Sequence, residues 1–146
     1  VVVNKVLEGK GNFGYNAATG AQIAAGSSDP MGRLATAVMF RRNVLRIAKA
    51  RAAGGGRTWT YDFQQPSSVT GMSGHCLELP FTWNCLDDAH AIKVLGPDPP
   101  QALADAMHAA WVAFTRTGEP GWHAGTGRVF GGHGSRVAFE DVAALA

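Results

Sequence analysis

The sequence predicts an α/β fold, and three stretches carry that prediction. Apolar positions recur at helical spacing between Gly32 and Ala53, then Trp59, Tyr61 and Phe63 alternate with Thr58, Thr60 and Asp62 at the period of a strand. A second helical stripe runs from Leu103 to Phe114. A chain of 146 residues that is 46% hydrophobic and 16% charged carries enough apolar surface for a core and lies far from the composition of a disordered chain. One domain, or part of one, is the natural count.

Each element has a local cause. Residues 9–28 are rich in Gly, Ala, Asn and Ser without periodicity, which predicts a surface loop, and residues 1–33 together read as a poorly ordered or truncated lead-in. Asp29-Pro30 suits a helix start, because a carboxylate accepts the unpaired N–H groups of a first turn and proline lacks only an N–H that would be unpaired there. Leu34, Val38, Leu45 and Ala48 then mark one helix face through a basic stretch, and Gly54-Gly55-Gly56 terminates it. Pro66-Ser67-Ser68 closes the following strand, and Val69 to Gly74 forms a loop leading to His75. Asp98-Pro99-Pro100 opens the clearest helix, in which Leu103, Ala106, Met107, Ala110, Trp111 and Phe114 form a stripe expected in the core until Gly118 ends it. Arg128-Val129-Phe130 and Arg136-Val137-Ala138-Phe139 flank a glycine-rich turn and predict two short strands, with residues 140–146 as an exit segment. There are no internal repeats.

Composition removes several function classes. Thirteen basic against 11 acidic residues give a formal charge of +2, too near balance to point to nucleic acid or a membrane surface as partner. Arg41, Arg42, Arg46, Lys49, Arg51 and Arg57 cluster without interleaved aromatics for base stacking, so they read as a solvated helix face. Cys76 and Cys85 lack CxxC spacing and are expected to be buried free thiols. No apolar run approaches the about 20 residues of a membrane helix, and the start at Val1 is neither a signal peptide nor a methionine, as a truncated terminus would leave it. A cytoplasmic location is the expectation. No HExxH pair or His/Cys cluster predicts a metal, and no GxGxxG or Walker-type loop predicts a nucleotide, so no cofactor is expected.

His75 is the residue best placed for chemistry. It stands between a turn-forming glycine and the apolar segment Leu77-Glu78-Leu79-Pro80-Phe81, in a loop that follows a strand, where α/β folds present reactive groups on a rigid support. His90, His108, His123 and His133 read as surface or half-buried residues that satisfy a hydrogen bond. On the residues alone, His75 is equally consistent with a structural histidine before a buried segment. The nucleophile elbow GxSxG is absent, since Ser73 in Gly71-Met72-Ser73-Gly74 is one residue short of it.

A longer pattern bears on this choice. His75-Cys76-Leu77-Glu78-Leu79-Pro80-Phe81-Thr82-Trp83 with Leu86-Asp87 resembles the histidine segment of the type B carboxylesterases, serine esterases that include the para-nitrobenzyl esterases and cholinesterases. The resemblance is collinear from about Ala35 to Asp141. Phe40 to Ala50 resembles the family helix, Tyr61-Asp62-Phe63 its strand, and Ala110-Trp111-Val112-Ala113-Phe114 with Thr117-Gly118-Glu119-Pro120 its Trp-x-x-Phe and Gly-x-Pro signature. Three positions depart from it. Asn84 stands where the family has glycine, Trp83 where it has phenylalanine, and Thr36 about where many members carry aspartate.

The resemblance implies the C-terminal portion of an α/β-hydrolase fold: a helix, a strand, the catalytic-histidine loop, an amphipathic helix and terminal short strands. By it, residues 1–146 are a C-terminal piece of one carboxylesterase domain, and His75 is the general acid/base of a triad whose order is Ser, then Asp or Glu, then His. The nucleophile, the triad acid and the oxyanion-hole amides are expected in an N-terminal part of the same domain, which is the implied partner, with a small-molecule ester as substrate. Glu78, three residues after the histidine, is expected to support the loop by accepting backbone hydrogen bonds. The alternative is a catalytically silent α/β-hydrolase-like module with a structural or binding role, which a histidine at position 75 argues against.

Overall fold

The computed structural model describes residues 30–132. The expected strand at 136–139, the exit segment, the loop at 9–28, Asp29 and His133 lie outside the described residues. Residues 30–56 and residues 57–132 belong to two separate compact units.

The first unit is helical from Pro30 to Ala53: α1 (Pro30–Ala35), a π-helical segment (Thr36–Arg41) and α2 (Arg42–Ala53). The helix begins two residues before the predicted Gly32, with proline in the first turn, where its missing N–H costs nothing. Ala37, Val38 and Leu45 are buried, and Met39, Phe40, Val44 and Ile47 are exposed. The glycine run ends the helix as its composition predicts. Gly55 takes the left-handed φ of 75°, which turns the chain so that the Gly56 N–H donates to the Arg51 carbonyl at 2.8 Å.

The second unit mixes helices with a small parallel sheet, as an α/β chain does. Strand β1 (Thr60–Phe63) pairs in parallel with β2 (Gly127–Phe130), Thr60 opposite Gly127 and Phe63 opposite Phe130. Parallel neighbours need a long crossover, and the intervening chain supplies it as α3 (Leu79–Thr82), α4 (Ala89–Leu95) and α5 (Gln101–Thr117). The core forms around Phe81 of α3, Met107 of α5 and Phe130 of β2, with Tyr61 and Phe63 packed against it from β1. Thr60 and Asp62 are half-buried, so both faces of β1 are partly covered.

Helix α5 requires a correction. Its buried residues are Ala104, Met107 and Ala110, whereas Trp111 and Phe114, predicted as core, are 42% and 41% exposed. Trp111 meets Tyr61 at 6.1 Å and Phe114 meets Trp59 at 5.8 Å, each edge to face, and both rings also border an open cavity, which leaves them half-exposed. The helix stops where predicted: Gly118 is left-handed at φ 75° and donates its N–H to the Phe114 carbonyl at 2.8 Å.

Helix α4 was not evident in the sequence. Only seven residues long, it depends on its cap, in which an Asp88 carboxylate oxygen accepts from the His90 N–H at 2.8 Å and the Ala91 N–H at 3.2 Å. The bond from Ala91, then that from His90, lowers the Asp88 pKa below its usual 3.8. A depressed carboxylate pKa stabilises the fold above the unfolded value, and that contribution is lost as pH falls through the lower folded value. Thermal melts followed by circular dichroism should therefore show the wild type losing stability below pH 3.8 relative to Asp88→Asn, whose cap does not titrate. Parallel pH dependence in the two proteins would refute this.

Candidate active site

The segment from β1 to His75 is held from below by two serines. Ser67, 2% exposed, donates its hydroxyl to the Val94 carbonyl at 2.6 Å and accepts from the N–H groups of Val69 and Thr70 at 3.0 and 3.3 Å. Its backbone N–H donates to the Met72 carbonyl at 3.0 Å, and its carbonyl accepts from the Gly71 N–H at 2.9 Å. Ser68 binds the Leu95 carbonyl through both its N–H and its hydroxyl, each at 3.0 Å. The loop is thus docked on the last turn of α4, at carbonyls that have no partner within the helix. Gly96 makes the approach possible: it is left-handed, and a Cβ there would stand 1.9 Å from the Ser68 hydroxyl.

Ser67→Ala removes one donor and one acceptor from a buried site. It should cost about 1–3 kcal/mol. Hydrogen exchange of the Val69 and Thr70 amides should accelerate more than that of α5. Uniform acceleration through residues 57–132 would show that Ser67 holds the unit as a whole and not the loop.

His75 stands in a turn at the head of α3, exposed to solvent. The Leu77 N–H donates to the Gly74 carbonyl at 3.3 Å and the Leu79 N–H to the Cys76 carbonyl at 3.2 Å. Cys76 adopts a left-handed φ of 63°, uncommon for a residue with a Cβ, and this reversal separates the exposed imidazole from Leu77, which is buried two positions later. Proline in the first turn of α3 then leads to Phe81, fully buried with its ring 5.2 Å from that of Phe63. A solvent-facing histidine is thereby tied at both sides to the core: by Leu77 and Phe81 after it, and by the docked loop before it.

Ser73, near in sequence, donates its hydroxyl to the Phe63 carbonyl at 3.1 Å, which fixes the loop to the end of β1. Glu78 is half-buried, and among the described residues its carboxylate makes no hydrogen bond or ion pair. Its influence is electrostatic. The Tyr61 phenol is raised above its usual pKa first by burial and then by the Glu78 charge.

The expectation of buried thiols is corrected. Cys76 is exposed because it occupies the turn itself, and Cys85 is half-buried; both are free. His90 and His123 are exposed, and the His108 Nδ1–H donates to the Thr82 carbonyl at 2.9 Å, joining α5 to α3 as a structural histidine would. Asn84 also gains a reason. At a left-handed φ of 54° it occupies a conformation that favours glycine and that asparagine tolerates best among other residues. Its amide accepts from Gln101 at 2.7 Å and donates to Asp105 at 3.2 Å, binding the end of α3 to α5.

Sequence reasoning missed Ser67, which it read only as closing a strand. The paired serines after a proline were a turn signal, but the Val94 carbonyl lies 27 residues away. Among the described residues no three His, Cys, Asp or Glu side chains are grouped to hold a metal ion, and no helix is long and apolar enough to cross a membrane.

No family model matches the chain. It is 32% identical over 117 aligned positions to the phenmedipham hydrolase of Pseudarthrobacter oxydans, in an alignment that covers 74% of this chain. The chain spans 24% of the length of that curated relative. The similarity relates these residues to part of a hydrolase.

Proposed function

We propose that this chain is the C-terminal part of a type B carboxylesterase, in which His75 is the general acid/base for hydrolysis of carboxylic esters. The observation that carries the reading is the exposed His75 on a turn held by buried Leu77 and Phe81, reached by a docked loop from the end of a parallel strand. The collinear resemblance and the similarity to a hydrolase support it. His75 takes the proton from a serine hydroxyl as it attacks the acyl carbonyl, then gives a proton to the leaving alcohol. The serine, the orienting carboxylate and the oxyanion-hole amides belong to residues outside this chain.

Two experiments test this. The coding sequence joined upstream should contain a GxSxG elbow after a predicted strand; its absence returns the chain to the silent-module reading. The 146-residue chain by itself should hydrolyse p-nitrophenyl acetate no faster than free imidazole, because Ser73 donates its hydroxyl to a backbone carbonyl. Rapid turnover abolished by Ser73→Ala would overturn the assignment.

A further inference from the structure

We infer that the open end of the core in residues 57–132 is a binding site for a single-ring aromatic carboxylate. The site lies between the second half of α5 and the sheet. A cavity of about 90 Å³ opens there between Trp59, Tyr61, Trp111, Phe114, Trp122 and Phe130, which include three of the four tryptophans of the chain. The rings meet edge to face, Trp59 with Phe114 at 5.8 Å, Tyr61 with Trp111 at 6.1 Å and Trp122 with Phe130 at 6.1 Å. Such walls suit a flat ring, which can take the same edge-to-face geometry. The volume is below the about 150 Å³ of a closed cavity that holds benzene, so a ring seated here keeps its polar substituent at the open side.

Two polar features give that substituent its charge. The Trp122 indole N–H is buried without a hydrogen-bond partner, whereas that of Trp59 donates to the Trp122 carbonyl at 2.8 Å. An orphaned buried donor costs about 1–3 kcal/mol, and an acceptor arriving with a ligand removes that cost. Arg128 stands two residues before Phe130 and so on the same face of β2. Its guanidinium lies 4.6 Å from the Phe130 ring centre and 5.6 Å from that of Trp122, and among the described residues no carboxylate pairs with it. Arg57, over Trp59 at 4.7 Å, is by contrast paired with Glu119 at 2.7 Å.

An aromatic cluster of this kind ordinarily suggests an organic cation. Here the guanidiniums already lie over the rings of Trp59, Trp122 and Phe130, and a second cation would meet like charge. A neutral ring would leave Arg128 without a counter-charge. A planar carboxylate satisfies it, since a guanidinium binds carboxylate through two parallel hydrogen bonds. No residue of the loop from Ser67 to His75 lines the cavity, so the inference does not rest on the esterase reading.

Titration of the whole chain with sodium benzoate, followed through the four tryptophan indole N–H signals in NMR spectra, tests the site. Benzoate should shift the Trp122 signal saturably and bind at least about tenfold more tightly than acetate or phenyltrimethylammonium. Arg128→Gln should weaken benzoate about tenfold while leaving toluene binding unchanged, and Arg128→Lys should retain part of the affinity. A response to benzoate no stronger than to acetate, or tighter binding of the cation, overturns the inference. So does an Arg128→Gln protein with a dispersed, folded spectrum and undiminished affinity. Should that variant fail to fold, the ligand series on the wild type decides alone.

Discussion

Changing His75 to glutamine in the full-length protein is expected to lower kcat/KM for p-nitrophenyl acetate by on the order of 10⁴-fold or more, because loss of the general base removes activation of the nucleophile. The same change should leave stability within about 0.5 kcal/mol, since His75 is exposed and the turn around it is held by backbone bonds and by Leu77. This dissociation is the informative part. For a histidine that only shaped the turn, stability and activity would change together, and glutamine, able to replace one hydrogen bond, would largely preserve both. Activity retained above a tenth of wild type would remove His75 from the mechanism.

Phe81→Ala is expected to cost about 3–5 kcal/mol, the usual range for deleting a buried aromatic ring. Phe81 is fully excluded from solvent, with its ring 5.2 Å from Phe63, and α3, which carries it, packs on α5. A domain of this size has only about 5–15 kcal/mol in hand, so the variant should be largely unfolded near its working temperature. Urea unfolding would measure the difference. A loss below about 1 kcal/mol would show that the site collapses around the vacancy or that the core is open. His75 and Phe81, six positions apart in one motif, are thus expected to differ in kind: substitution of the first should lower the rate without lowering stability, and substitution of the second should lower stability first.

What the sequence determined by itself was local. The stops at Gly54-Gly55-Gly56 and Gly118, the start near Pro30, the strand at Tyr61 to Phe63 and the position of His75 after a loop were legible there. Each rests on backbone conformations or periodicities that neighbouring residues impose. The existence of α4 was not legible, because seven residues have too little periodicity and depend on the Asp88 cap. Nor was the burial of the α5 stripe, since every residue in it is apolar and only the packing around each divides Met107 and Ala110, enclosed in the core, from Trp111 and Phe114, which border an open cavity.

Only the tertiary structure decided how the candidate site is held and where the aromatic cavity lies. Ser67 finds its acceptor 27 residues away at Val94, and Trp59 finds its own 63 residues away at Trp122. Such pairs leave no periodic trace, because a hydrogen bond or ring contact depends on distance in space, which the chain sets only after β1, β2 and α5 have packed.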